Sequence, residues 1–205
     1  MNFLAVFVTA ILFSLSAVSR GDEIASAAIA EMKAGKTKLF DVAGESRARP
    51  PVEFTLRYPQ GWGTSPVARK GVAGRVASSN GEGMDSFVVV MTARRDEIKN
   101  ATPDEIFTKD YFKQFDQFDA KMFRRERLKE GTFDGGIMEY LMETEKPPMK
   151  IRMYVCNYLF AHKGSVVQVQ FYTLLSDGSD KKADNRRIAA FKPLWKAIAQ
   201  TIKLR

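Results

Sequence analysis

Met149 to Leu174, "MKIRMYVCNYLFAHKGSVVQVQFYTL", is a pair of long apolar runs hinged at His162-Lys163-Gly164. Runs this rich in β-branched and aromatic residues, joined by a short glycine-containing hinge, form a β-hairpin. The first run is apolar on both faces, so a strand built from it must be covered on both sides. Just upstream, "RLKEGTFDGGIMEYLMET" reads as another hairpin, with its turn expected at Asp134-Gly135-Gly136, where glycine tolerates positive φ. Successive hairpins pair their strands antiparallel. An antiparallel sheet that needs cover on both faces is the main constraint on the fold.

Earlier strands support it. "VEFTLRY" alternates Phe54, Leu56 and Tyr58 against Glu53, Thr55 and Arg57, the period of a half-buried strand. It stops at Pro59, and Trp62 follows between Gly61 and Gly63. Trp62 is expected to fold back as a plug over the end of the sheet, its reversal eased by the two glycines, with a ligand platform as the alternative. "GVAGRVASS" reads as a glycine-loosened strand, "NGEG" as a turn, and "SFVVVMTAR" as a central strand apolar on both faces.

Helices supply the cover. "TPDE" at Thr102–Glu105 combines an N-cap threonine, a first-turn proline and a glutamate at N3, a capping box. Phe107, Tyr111, Phe115 and Phe118 then recur every three or four residues, predicting one continuous helix with an aromatic stripe against the sheet. At the C-terminal side, Ile188, Phe191, Trp195, Ile198 and Ile202 predict an amphipathic helix, with Pro193 either in its first turn or kinking it. Near the start, Ile24, Ala28 and Met32 are four apart, and Gly35 suits a helix C-cap. "AGESRARPP" reads as a linker. The expected organisation is a signal peptide over 1–21, a helical arm and linker over 22–51, and one α+β domain over 52–205.

The signal assignment rests on Phe3 to Leu15, apolar except for Thr9 and Ser14, followed by the small residues Ala17, Ser19 and Gly21. That stretch falls short of the roughly 20 apolar residues a spanning helix needs, and it has the shape of an h-region with its cleavage zone. The n-region carries no Lys or Arg, which leaves an uncleaved membrane tether as the alternative. The expected location is secreted or periplasmic. Cys156 is the only cysteine, so there is no internal disulfide and stability must come from packing. Within "IRMYVCNYLF" it reads as a small buried residue.

Motifs for chemistry are scarce. "AGKT" at Ala34–Thr37 lacks the glycine and preceding strand of a phosphate loop. No G-x-S-x-G and no dinucleotide-binding unit occurs. His162, the only histidine, falls in a hairpin turn and with Cys156 cannot complete a zinc site. "DGSD" at Asp177–Asp180 and "NGEGMD" at Asn80–Asp85 lack the terminal glutamate of an EF-hand loop. No catalytic, cofactor-binding or metal-binding residue is assigned, and the chain is read as a non-enzyme. Carboxylates converging only in the fold would make a hydrolase, the alternative from another class.

Charge is the remaining signal. The formal net charge is +8, and residues 181–205 hold eight Lys and Arg against Asp184 alone. "KMFRRERLKE", Lys121 to Glu130, carries five cations and two anions. The candidate partner-binding residues are therefore Lys121, Arg124, Arg125, Arg127, Arg186, Arg187, Lys192, Lys196 and Lys203. Such a surface suits a protein partner or an anionic envelope component, with possible peripheral membrane contact. An exported chain with no recognition motif is not expected to meet nucleic acid.

"FTLRYPQGW" resembles the opening strand and turn of the PsbP/Mog1-like family, which includes bacterial periplasmic DcrB-like proteins. The capped "TPDEIF…YF", the hairpin around "FDGG", the long strands "IRMYVCNYLF" and "GSVVQVQFYT" and a final helix of the type F-x-P-L-W-x-x-I follow in the same order. The resemblance spans roughly Val52 to Arg205. It implies an α+β sandwich, an antiparallel sheet of about six strands flanked by helices on both faces. It also implies an adaptor or accessory role, since the family shares no catalytic residues. Photosynthetic members assist an oxygen-evolving complex and a nuclear member binds a small GTPase. The expected export makes the periplasmic members the nearest fit.

Overall fold

The computed structural model describes residues 21–42, 53–65, 67, 71–91, 95–116, 119–146, 149–176 and 180–205. Residues 1–20 of the expected signal peptide, the whole 43–51 linker, Phe118 and Asp177 to Ser179 lie outside the described residues. In chain order the elements are α1 (Gly21–Lys33), β1 (Thr37–Asp41), β2 (Phe54–Pro59), β3 (Gly63–Ser65), β4 (Val72–Ala77) and β5 (Ser86–Met91). Then come α2 (Pro103–Ile106), α3 (Lys109–Lys113), β6 (Lys121–Glu130), β7 (Phe133–Lys146), β8 (Met149–His162), β9 (Ser165–Leu174), α4 (Lys181–Ala199) and β10 (Lys203–Leu204).

Among the described residues the strands form a seven-stranded sheet, ordered β3-β4-β5-β9-β8-β7-β6, and a three-stranded one, β1-β2-β10. Every pairing is antiparallel. Lys163 (φ 48°) and Gly164 (φ 84°) form the two-residue turn between β8 and β9, the positive-φ geometry that matches strand twist. The small sheet, α1 and α4 cover one face of the large sheet. Phe40, Phe54, Leu56, Tyr58 and Trp62 meet Phe87, Phe171, Phe191 and Trp195 there in one core. On the other face, Ile106, Phe107 and Phe112 from the α2–α3 region pack on Met138, Leu159 and Val166. The fold is the α+β class read from the sequence, with one more strand in the main sheet and a second small sheet. No described helix is long and apolar enough to cross a membrane.

Trp62 is 3% exposed, and its N–H donates to Pro59 O at 3.1 Å to close the turn. Gly63 serves close approach rather than reversal: a Cβ there would stand 2.3 Å from Asn80 O. Gly35 adopts φ +70° just past α1, as a C-cap glycine does. Where the sequence suggested an arm, α1 buries Ala25 and Ala28 in the main core, and β1 pairs with β2 from Thr37↔Pro59 to Asp41↔Thr55.

Three expectations differ from the structure. The β6–β7 turn lies at Gly131-Thr132, since Glu130 pairs with Phe133. Gly135 and Gly136 sit inside β7 because the sheet and helices crowd them: a Cβ on Gly135 would meet Leu159 O at 1.9 Å, and one on Gly136 would meet the Phe107 and Phe112 rings at 3.0 Å. The aromatic stripe is not one helix. Thr102 caps α2 with the full capping box, but Thr108 then accepts from Tyr111 N at 3.2 Å and starts α3. A second cap inside the run splits the helix, and Phe112 is buried while Tyr111 and Phe115 are only partly covered. Finally, α4 ends at Ala199, with Pro193 in its interior on the exposed side. Ile202 follows the helix rather than belonging to it, and Lys203 lies on strand β10.

Candidate functional site

The described strand order leaves β6 as one edge of the large sheet. Its partner register explains what it presents. Arg124, Glu126 and Leu128 stand opposite Glu139, Ile137 and Gly135, whereas Arg125, Arg127 and Lys129 stand opposite Met138, Gly136 and Asp134. Ile137 belongs to the α4-side core and Met138 to the α2–α3 side, so alternation sends these two sets to opposite faces. The register slips between Met122 and Arg124, a bulge that turns the intervening side chain outward. Phe123 is that residue, and at 51% exposure it is one of three exposed large apolar side chains among the described residues.

Behind Phe123 the rings continue inward. Phe123 stacks on Tyr154 at 5.6 Å, Tyr154 on Trp195 at 6.1 Å, and Trp195 on Phe191 at 5.8 Å. Lys121 Nζ lies 5.4 Å from the Phe123 centroid and Lys192 Nζ the same distance from Tyr154, within cation–π range. Buried Glu139 ties this wall together. It accepts from Tyr154 Oη at 2.6 Å and from Lys192 Nζ at 2.7 Å, with Arg124 Nη1 at 3.9 Å. Burial, then the hydrogen bond to Glu139, holds the Tyr154 hydroxyl well above its ordinary pKa. Burial and the Glu139 charge likewise raise the Cys156 thiol, so Cys156 is an inert core residue. Beside the bulge an open groove of about 300 Å³ is lined by Phe115, Asp116, Ala120, Met122, Phe123, Arg124 and Arg125.

The cations chosen by charge alone have varied fates. Lys121, Arg124, Lys192 and Lys196 all lie on the α4 side of β6, spread along it from Lys121 at its start to Lys196 beside Glu130 at its end. There Arg124 Nε donates to Glu126 at 2.7 Å, and Lys196 pairs with Glu130. On the opposite face Arg125 pairs with Asp116, and Arg127 pairs with Asp134 and, at 2.8 Å, with Asp104. Arg186 is exposed on the N-terminal half of α4, and Lys203 is exposed on β10 of the small sheet; neither belongs to the β6 cluster. Arg187 is no surface residue. It is 4% exposed, and its guanidinium is bound to buried Asp85 and Thr173. Asp85, Glu139 and Asp184 are the buried acids among the described residues. Each answers its own cation: Arg187, Lys192 and Arg152.

Counting charge along the sequence missed two things. The fold brings Asp104, Asp116, Asp134 and Glu139 from other segments onto the basic strand, so much of its charge is compensated locally. It also turns Phe123 outward. The available signal for that was Met122-Phe123, two adjacent apolar residues breaking the alternation of a charged strand. The exposed pairs contribute about 0–1 kcal/mol each, little enough to be exchanged for others.

No family model matches the sequence, and no curated protein matches it. Among solved structures, the chain is similar to the Saccharomyces cerevisiae Ran-binding protein Mog1p, with a TM-score of 0.52 and 12% identity over 82% of this chain and 95% of that one. A point mutant of Mog1 gives a TM-score of 0.50, also at 12% identity and with the same coverage. LpqN of Mycobacterium tuberculosis, described as involved in cell envelope biogenesis, covers 84% of this chain at 10% identity, with a TM-score of only 0.41. The chain has the Mog1/PsbP-like fold.

Proposed function

We propose that this chain is an exported, non-enzymatic binding or accessory domain that docks a protein partner along β6 and the groove at its start. One observation carries the reading. A ten-residue strand at the sheet's edge presents a half-exposed phenylalanine beside an open groove, with exchangeable ion pairs on either side. Natural edge strands are normally blunted by charge, and an aromatic ring left outward among charges marks a contact point. That the similar Mog1p is described as Ran-binding supports a binding role for this fold. Export is supported by the apolar stretch from Phe3 to Leu15 and the small residues after it. Mass determination of the mature N-terminus separates a cleaved signal from a retained tether.

The docking surface is tested by placing a photo-crosslinking amino acid at position 123, at 186 or at 204 in the full chain within its native envelope. The expected result is a discrete adduct from position 123 that Lys129→Glu weakens and that is absent from 186 and 204. Adducts only from 186 or 204 would overturn it.

A second reading, recruitment to an anionic envelope surface, is favoured by Lys181, Lys182 and Arg186. All three are exposed, with no carboxylate partner among the described residues. Co-sedimentation with anionic vesicles, lost in Lys182→Glu/Arg186→Glu, would support it. Unchanged co-sedimentation would remove this face.

A further inference from the structure

We propose that the outer edge of β6 accepts an extended acidic segment of a protein partner as an additional antiparallel or parallel strand of the sheet. This rests on the docking reading above and specifies its mode and chemistry. β7 is the only described strand paired with β6, so the outer row of N–H and C=O groups is a template for strand addition. The Leu128 carbonyl is not part of that row: it faces its β7 partner Gly135, and Arg127 Nη1 donates to both carbonyls at 2.7 Å. Beyond the bulge the register from Arg124↔Glu139 to Glu130↔Phe133 is regular, which gives seven residues of uninterrupted edge.

Side-chain alternation sets the chemistry. Arg125, Arg127 and Lys129 point to one face at successive alternate positions. Their present acceptors are half or more open to solvent in two cases, Asp116 at 54% and Asp104 at 81%, with Asp134 at 44%. Lys129 has no ion pair among the described residues. A strand laid alongside would therefore be favoured by acids at every second position, opposite this row. At the other end of β6, Phe123 and the groove offer an apolar side chain of the same segment a seat.

Charge argues against a second copy of this chain as the occupant. Antiparallel pairing of two β6 edges about a two-fold axis normal to the sheet keeps like faces together. The two Arg125–Arg127–Lys129 rows would then lie side by side. Like charges directly opposite are destabilising, and this is the edge protection that keeps such strands from self-association.

The test uses the full chain and a labelled ten-residue peptide with Glu at alternate positions and Val or Thr between them. Fluorescence anisotropy is expected to show binding, with slowed hydrogen exchange confined to the β6 amides. Lys129→Glu, an exposed change that leaves the core untouched, is expected to weaken binding about tenfold, as loss of a charge pair does. A peptide with proline at its centre is expected not to bind, because it cannot complete the ladder. Equal binding of the proline peptide, or protection elsewhere in the chain, would overturn strand addition. If the peptide fails to bind while crosslinks from position 123 persist, the mode is overturned and the docking surface stands. If those crosslinks come only from position 186 or 204, the docking surface itself falls.

Discussion

Arg187 and Asp85, 102 residues apart in sequence, meet in the core. Arg187 Nη2 donates to both carboxylate oxygens of Asp85, at 2.6 and 2.8 Å. Thr173 Oγ1 completes the triangle, accepting from Arg187 Nε at 2.7 Å and donating to Asp85 Oδ1 at 2.7 Å. Nearby, Arg152 Nη1 donates to Asp184 Oδ2 at 2.7 Å. These two pairs, the first buried and the second part-buried, fix the N-terminal half of α4 to β8, β9 and the turn before β5, and so set where the helix lies over the sheet.

Removing one partner of the first pair leaves the other charge buried and alone. Asp85→Ala is expected to cost about 3–5 kcal/mol of unfolding free energy, measured by urea denaturation. Asp85→Leu with Arg187→Met should recover much of the loss, because neither charge then remains. A double variant less stable than Asp85→Ala would show that the pair stabilises the fold beyond the avoided penalty.

Trp62 fills the end of the core, in one cluster with Tyr58 and Phe87. Trp62→Ala is expected to cost about 3–5 kcal/mol, the range for emptying a large aromatic site, and Trp62→Phe distinctly less. If Trp62→Ala left the denaturation midpoint unmoved, the ring would not be acting as a plug.

Gly135 and Gly136 respond differently to the same added methyl group. At Gly135 the obstacle is the Leu159 carbonyl, part of the neighbouring strand's backbone. At Gly136 it is two phenylalanine rings, which can shift by a few tenths of an ångström. Gly135→Ala should exceed the roughly 1–3 kcal/mol typical of overpacking, with Gly136→Ala within it. The reverse order in thermal denaturation would show that the strand yields more readily than the helices above it.

Alkaline pH should unfold the protein through its tyrosines. Burial pushes Tyr111 up to about 12 despite the opposing charge of Arg95. It raises Tyr154 and Tyr158 further, aided by Glu139 in both cases, and it raises Tyr140. In the unfolded chain these groups lose their protons near pH ~10. Their folded pKa values lie above that, so their contribution is fully present below pH ~10 and is lost as the pH rises through the folded values. Tyrosinate absorbance is expected to rise abruptly, together with loss of far-ultraviolet circular dichroism. A smooth rise near pH ~10 with the fold intact would contradict the burial of Tyr154 and Tyr158 and the partial cover of Tyr111 and Tyr140.

What the sequence determined by itself was local. The β8–β9 hairpin, the Thr102 cap, the Gly35 C-cap and the apolar stripe of α4 depend on a few neighbouring residues, whose periodicity and turn chemistry leave little choice. The β6–β7 turn was legible as a turn but misplaced, because Gly135 and Gly136 looked like turn glycines. Only the tertiary structure shows Leu159 and the Phe107 and Phe112 rings pressing on them. The tertiary structure also decided which cations remain available. Arg187 and Arg186 are adjacent and alike in sequence, yet one is buried against Asp85 and the other is exposed. The cost of burying a charge is set by a partner that can come from anywhere in the chain. The edge position of β6 and the outward turn of Phe123 have the same origin, since strand order and register belong to the whole sheet and not to any one strand.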